Sequence, residues 1–134
     1  MKSLLPILPL LAAAAPPLAV QTTADPALGI WTNPHRTIDI RTEDCGGHLC
    51  GTIVAAAPEA VQDAHDAGID RLIGLSLLRD YRRVSDTRWE GIVYVPDMGR
   101  TFSSHIVKVA PDTLRISGCL VGQYLCRSQD WTRR

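Results

Sequence analysis

Residues 87–110 read TRWEGIVYVPDMGRTFSSHIVKVA, and this stretch decides the class of fold. From Thr87 to Val95, the apolar Trp89, Val93 and Val95 alternate with Arg88, Glu90 and Tyr94, the two-residue period of a strand with one covered face. Pro96-Asp97-Met98-Gly99 then supplies a turn, with proline fixing φ early and glycine free to take a positive φ late. Thr101 to Val109 must be the return strand. On it Phe102 and Ile106 fall on the opposite parity from Val107 and Val109, which predicts a bulge or two covered faces.

The same pattern extends in both directions. Downstream, Pro111-Asp112 turns the chain, Leu114, Ile116 and Leu120 alternate with Arg115 and Ser117, and Ser128 to Arg133 forms a last strand with Trp131 inward. Upstream, Ile38 and Ile40 alternate with Thr37, Asp39 and Arg41, and a Gly46-Gly47 turn leads into Leu49 to Ala55, rich in β-branched residues. Ala56 to Asp70 is alanine-rich and polar, which predicts one long loop with at most a helical turn. Leu72 to Leu78 is nearly continuously apolar. The sum is about eight short strands joined by short turns, an all-β antiparallel sandwich or barrel.

Hydrophobic residues make up 46% of the 134 and charged ones 21%, the balance of a globular chain rather than a disordered or fibrous one. Fourteen Lys plus Arg offset fourteen Asp plus Glu, so no chain-wide field gathers nucleic acid or an anionic membrane, and a polyanion partner, nucleic acid included, is not expected. Met1 and Lys2 precede an apolar stretch, Leu4 to Val20, interrupted by Pro6, Pro9, Pro16 and Pro17. That pattern predicts a removable secretory signal over residues 1–24, with cleavage after Ala19 or, better, after Ala24 ahead of acidic Asp25. A spanning helix needs about 20 uninterrupted apolar residues, so no transmembrane span is expected in the mature form. The remaining domain, residues 25–134, buries about two thirds of the surface its unfolded chain exposes, enough for one modest core.

Export also decides how the four cysteines read, because paired thiols persist as disulfides outside the cytoplasm. Cys45 and Cys50 flank Gly46 and Gly47, and Cys119 and Cys126 flank Gly122. Each short glycine-containing segment can fold back on itself, so the two local pairings are favoured among the three possible, each worth about 2 kcal/mol. Neither spacing matches the Cys-x-x-Cys of a zinc knuckle or a thiol oxidoreductase. No metal and no cofactor are expected.

Gly29-Ile30-Trp31 near the start and Trp131-Thr132-Arg133 at the end resemble a closed-barrel device, in which an early tryptophan plugs one end and a late arginine lies across its ring. Burial plus cation–π contact is worth about 0.5 to 2 kcal/mol there. These motifs occur in order with Leu49-Cys50-Gly51-Thr52-Ile53-Val54, Leu72-Ile73-Gly74-Leu75, Trp89-Glu90-Gly91, Tyr94-Val95-Pro96-Asp97, Gly99-Arg100-Thr101-Phe102 and Thr113-Leu114-Arg115-Ile116-Ser117-Gly118. Together they resemble domain of unknown function 2147, a family of small exported bacterial proteins. The resemblance implies a lipocalin-like β-barrel in the periplasm that holds a small apolar molecule and has no established reaction. Members often carry Asn-Pro-Asp in the long loop, where this chain has Asp63-Ala64-His65-Asp66-Ala67-Gly68.

Candidate chemistry is sparse. His35, His48, His65 and His105 are scattered without metal-ligand spacing. His105, on the parity of Thr101, Ser103, Val107 and Val109, reads either as a polar group inside an apolar cavity or as an outward, hydrogen-bonded side chain. Asp63, Asp66 and Asp70 do not fit a calcium loop and read as a solvated edge. No nucleophile has a base beside it, so no catalytic residue and no enzyme activity are expected. Trp89, Tyr94, Phe102 and His105 are the candidate ligand contacts, Trp31, Trp131 and Arg133 the end plug. The expected function is binding of a small apolar or amphipathic ligand such as a lipid; the alternative is a filled barrel that contacts an envelope protein. Oligomeric state is not legible.

Overall fold

The computed structural model describes residues 3–6, 8–14 and 25–134. Residues 15–24, and with them both candidate cleavage positions, lie outside the described residues, as do Met1, Lys2 and Ile7. Among the described residues no helix is long and apolar enough to cross a membrane.

Eight antiparallel strands close into a barrel in simple sequence order: β1 (Gly29–Thr32), β2 (Ile38–Asp44), β3 (Leu49–Ala56), β4 (Ser76–Ser85), β5 (Arg88–Val95), β6 (Arg100–Ala110), β7 (Thr113–Val121) and β8 (Tyr124–Arg133). The hairpin read first from the sequence is β5 and β6, in unbroken register from Arg88 opposite Val107 to Val95 opposite Arg100. A 3-10 turn, Pro96–Met98, joins them and ends at Gly99 with φ 60°. Trp31 pairs with Arg133 and Thr32 with Thr132, which closes the ring.

Two boundaries differ from the sequence reading. The long connection contains a helix, α1 (Pro58–Asp66), of nine residues rather than a single turn. Pro58 opens it without losing a needed N–H, and Glu59 sits favourably in its first turn. Only Ala64 of this helix is buried, so no apolar stripe marks it in the sequence. The apolar run from Leu72 enters a strand only at Ser76, because Gly74 takes φ 93° and turns the chain. Even so, Gly74 donates to Ile53 and Ile53 donates to Leu75, so the turn is laced to β3.

Because the strands run up and down, their joins fall at two ends. The lower end carries the 45–48, 86–87 and 111–112 turns; the upper end carries 33–37, α1 and its flanks, 96–99 and 122–123. Both disulfides are local, Cys45–Cys50 at the lower end and Cys119–Cys126 at the upper, as the spacing predicts.

The interior is filled by side chains. Trp31, Ile40, Ile53, Leu78, Tyr81, Trp89, Ile106 and Leu114 are all fully buried. Room is made for them by glycines on β3 and β5: a Cβ on Gly51 would lie 2.8 Å from Leu78, and one on Gly91 2.6 Å from the Tyr81 ring.

Candidate functional site

At the lower end Trp31 donates its indole N–H to the Ala27 carbonyl at 3.0 Å and to Thr42 Oγ1 at 3.2 Å. The Arg133 guanidinium lies 4.3 Å above the ring and donates to the carbonyls of Leu28 and Pro26. Gly29, at φ 143°, leaves the space that this guanidinium fills. Lys108 also donates to Pro26, and Trp89 donates to Asp25, so Asp25 to Leu28 is strapped across this end. Trp131 is buried on β8 opposite Leu114. The Trp31–Arg133 side of the lower end is thus closed.

One polar pair sits inside the barrel. The Tyr81 hydroxyl donates to Ser104 Oγ at 2.7 Å, and both residues are buried. Burial pushes the Tyr81 phenol well above its ordinary range, and the Ser104 hydrogen bond offsets this only in part. The folded state therefore holds a neutral phenol. The Tyr81 phenol makes stability independent of pH below its ordinary value, about pH 10, and lets it fall as pH rises beyond that, where the unfolded chain ionises first. Tyr81→Phe should lower stability by about 1 to 2 kcal/mol at neutral pH, since it leaves the Ser104 hydroxyl unpaired, and should flatten the alkaline decline. Urea unfolding at a series of pH values measures both.

The upper end is different. β1 pairs only with the last residues of β8, so the segment of β8 from Tyr124 to Asp130 is hydrogen-bonded to β7 alone. Arg127 and Gln129, on the inward parity with Trp131, are exposed there, and the upper wall is open at that side. The facing surface is apolar: Ile38, Leu75, Val95 and Phe102 are partly buried against the core. Beside them a groove of about 400 Å³ lies against α1, lined by Ala56, Pro58, Val61, Ile69 and Leu72 with Gln62, His65 and Asp70 at its edge. A second, smaller groove of about 290 Å³ at the lower end runs from Asp25, Asp44, His48 and Arg83 in to Leu49, Tyr81 and Trp89.

The structure does not gather the four candidate ligand contacts. Trp89 is buried at the lower end, beside Asp25, where it lines the smaller groove. Tyr94 takes the outward parity of β5, with the Arg79 guanidinium 4.9 Å over its ring. Phe102 alone faces the open end, half-buried, with Arg100 5.3 Å over it. His105 is corrected to the outer face: Ser104 and Ile106 beside it are fully buried, so the inward row is Phe102, Ser104 and Ile106. Against β5 the strand keeps one regular register, whereas against β7 the register shifts between Lys108 and Ala110, at the Val109 end of the strand where the parity conflict predicted a bulge or two covered faces. His105 Nδ1 lies 2.7 Å from Gln123 Oε1 and 3.8 Å from Cys119 Sγ. His105, Cys119 and Cys126 form the one tight group of potential metal ligands among the described residues, and both sulfurs are committed to the disulfide. Of the three aspartates, Asp63 and Asp66 are exposed on α1, and exposed Asp70 lies 3.9 Å from His65. Missed from the sequence were Val61, Ile69 and Leu72, whose grouping depends on how α1 folds back over the barrel.

A solved structure from Helicobacter pylori, described as "Protein HP1028 from the human pathogen Helicobacter pylori belongs to the lipocalin family", superposes with a TM-score of 0.59 over 80% of this chain and 82% of that one. At 13% identity the likeness shows the fold alone, a lipocalin-like barrel. No curated protein matches the chain in sequence. The model of the family described as "Uncharacterized protein conserved in bacteria (DUF2147)" matches residues 29–133, from the first strand to the end of the last, and the chain belongs to that family.

Proposed function

We propose that this chain is a periplasmic barrel that binds a small apolar or amphipathic molecule, such as a lipid, at its open upper end. The observation that carries this reading is the apolar groove of about 400 Å³ against α1, at the same end of the barrel as the wall that β1 leaves open. Its lining joins apolar Val61, Ile69 and Leu72 to polar Gln62, His65 and Asp70, the mixture that suits a molecule with an apolar body and a polar end. Two disulfides fit an exported protein. The role is binding rather than catalysis.

Native mass spectrometry of the purified chain should show a co-purifying small molecule, and fatty acids or isoprenoids should displace a bound fluorescent lipid probe. Val61→Glu places a charge in the groove at an already exposed position, so it should weaken probe binding about tenfold without lowering the unfolding midpoint. No bound species together with no displacement across the panel would count against the reading.

A second reading, a non-enzymatic module that contacts another envelope protein, is favoured by the packed interior around Trp31, Tyr81 and Trp89. Displacement by any member of the lipid panel decides for the first reading.

A further inference from the structure

The apolar side chains that the barrel leaves in water are not spread evenly. Val61, Ile73, Met98, Leu120, Val121, Tyr124 and Leu125 are all large, exposed and at the upper end. Four of them crowd the tip where β7 turns into β8, with Leu120 at 69%, Val121 at 60%, Tyr124 at 76% and Leu125 at 71% exposure. A hairpin tip in water is ordinarily polar, and a cluster of this kind marks a contact surface.

The tip is also rigid and one-signed. Cys119 and Cys126 tie the two strands immediately behind it. From Leu114 to Gln129 the hairpin contains Arg115 and Arg127 and no acidic residue. Arg115 is occupied by Asp130, whereas neither Arg127 nor the neighbouring Arg100 lies within ion-pair distance of a carboxylate among the described residues. The surface is therefore an apolar wedge with a tyrosine at its edge, the Arg127 guanidinium behind it and Arg100, stacked on Phe102, beside it.

We propose that this hairpin tip inserts into the surface of a phospholipid bilayer and sets the open end of the barrel against it. Leu120, Val121 and Leu125 enter the acyl boundary, Tyr124 lies at headgroup level, and Arg127 and Arg100 meet lipid phosphates. Charge complementarity selects this occupant: an apolar tip backed by unpaired cations matches acyl chains backed by phosphates. Gln123 holds the tip in place, donating to the Ser104 carbonyl and lying 2.7 Å from His105 Nδ1, while the apolar side chains around it stay in water, and a penetrable surface accepts them without a preformed pocket. Since the whole chain is electrically balanced, the attraction is short-range and belongs to the hairpin. The acids of α1, Glu59, Asp63 and Asp66, lie on the other side of the same end and tilt the barrel so that the β7–β8 side faces the lipid. The inference stands apart from ligand binding, and it supplies a membrane route to the open wall.

Flotation of the barrel, Asp25 to Arg134, which contains every strand and the helix, with vesicles of phosphatidylethanolamine and phosphatidylglycerol is the test. The wild type should float with the vesicles. L120S/L125S changes only exposed side chains and should reduce binding at least about tenfold, with unfolding midpoint and lipid-probe binding unchanged. Arg127→Gln should weaken binding about fivefold on these vesicles and less on phosphatidylcholine alone. Absence of wild-type flotation, or equal flotation of the double variant, overturns the proposal. So does sedimentation showing a dimer that L120S/L125S converts to monomer, because the tip would then be buried in a second copy.

Discussion

Trp31→Ala is expected to lower the unfolding free energy by about 3 kcal/mol or more, in the range for large buried aromatics. The side chain is fully buried, and its indole N–H is shared between the Ala27 carbonyl and Thr42 Oγ1. Removing the ring opens a void at the lower end and takes away the surface on which Arg133 rests. Arg133 would keep its bonds to Leu28 and Pro26 but lose the cation–π contact, so part of the loss should recur in Arg133→Met. Urea unfolding of the two single variants and the double variant measures the coupling, expected at about 1 kcal/mol. A loss below about 1 kcal/mol for Trp31→Ala would contradict the plug.

The second large effect concerns a residue with no side chain. Gly91→Ala should destabilise by about 3 kcal/mol, at the upper end of the usual range for overpacking. A Cβ there would lie 2.6 Å from Tyr81 Cγ and 2.8 Å from both Tyr81 Cα and the Arg79 carbonyl oxygen. The last two are backbone atoms, so relief requires moving β4 away from β5. A neutral result in thermal or urea unfolding would mean that the two strands separate more easily than their register indicates. Tyr81→Ala in the same background should recover little, because the backbone clash remains.

The β5–β6 hairpin was legible because its evidence is local: an alternating pattern, then a proline-to-glycine turn, then a return strand. The disulfides were legible for the same reason, since a short glycine-containing loop limits what each cysteine can reach. The helix was not, because a nine-residue segment that buries only Ala64 shows no stripe; Pro58-Glu59 ahead of an alanine-rich run was the available signal. The side of β6 that faces inward was not legible either. Val107 and Val109 are as apolar as Phe102 and Ile106, and only barrel closure, which puts Ile106 between Trp89 and Ile116, assigns one row to the core. Of the two readings left open for His105, closure selects the outward, hydrogen-bonded one. The candidate site suffered most, because Val61, Ile69 and Leu72 belong to no common sequence period and meet only when α1 folds over the upper end.

By itself, the order of residues determined an all-β fold, about eight strands and the local disulfides, while the tryptophan-to-arginine closure of the ends came from resemblance to a known barrel device. The first three follow from a two-residue period or from a short loop, interactions that act between near neighbours in the chain, whereas Trp31 and Arg133 meet across nearly its whole length. The tertiary structure alone decided which row of each strand faces the core, that the lower half is filled, that β1 stops short and leaves β8 open above it, and that exposed apolar side chains collect at that same end. These depend on contacts between residues far apart in sequence, where closure of the ring, and not local preference, selects the face each side chain takes.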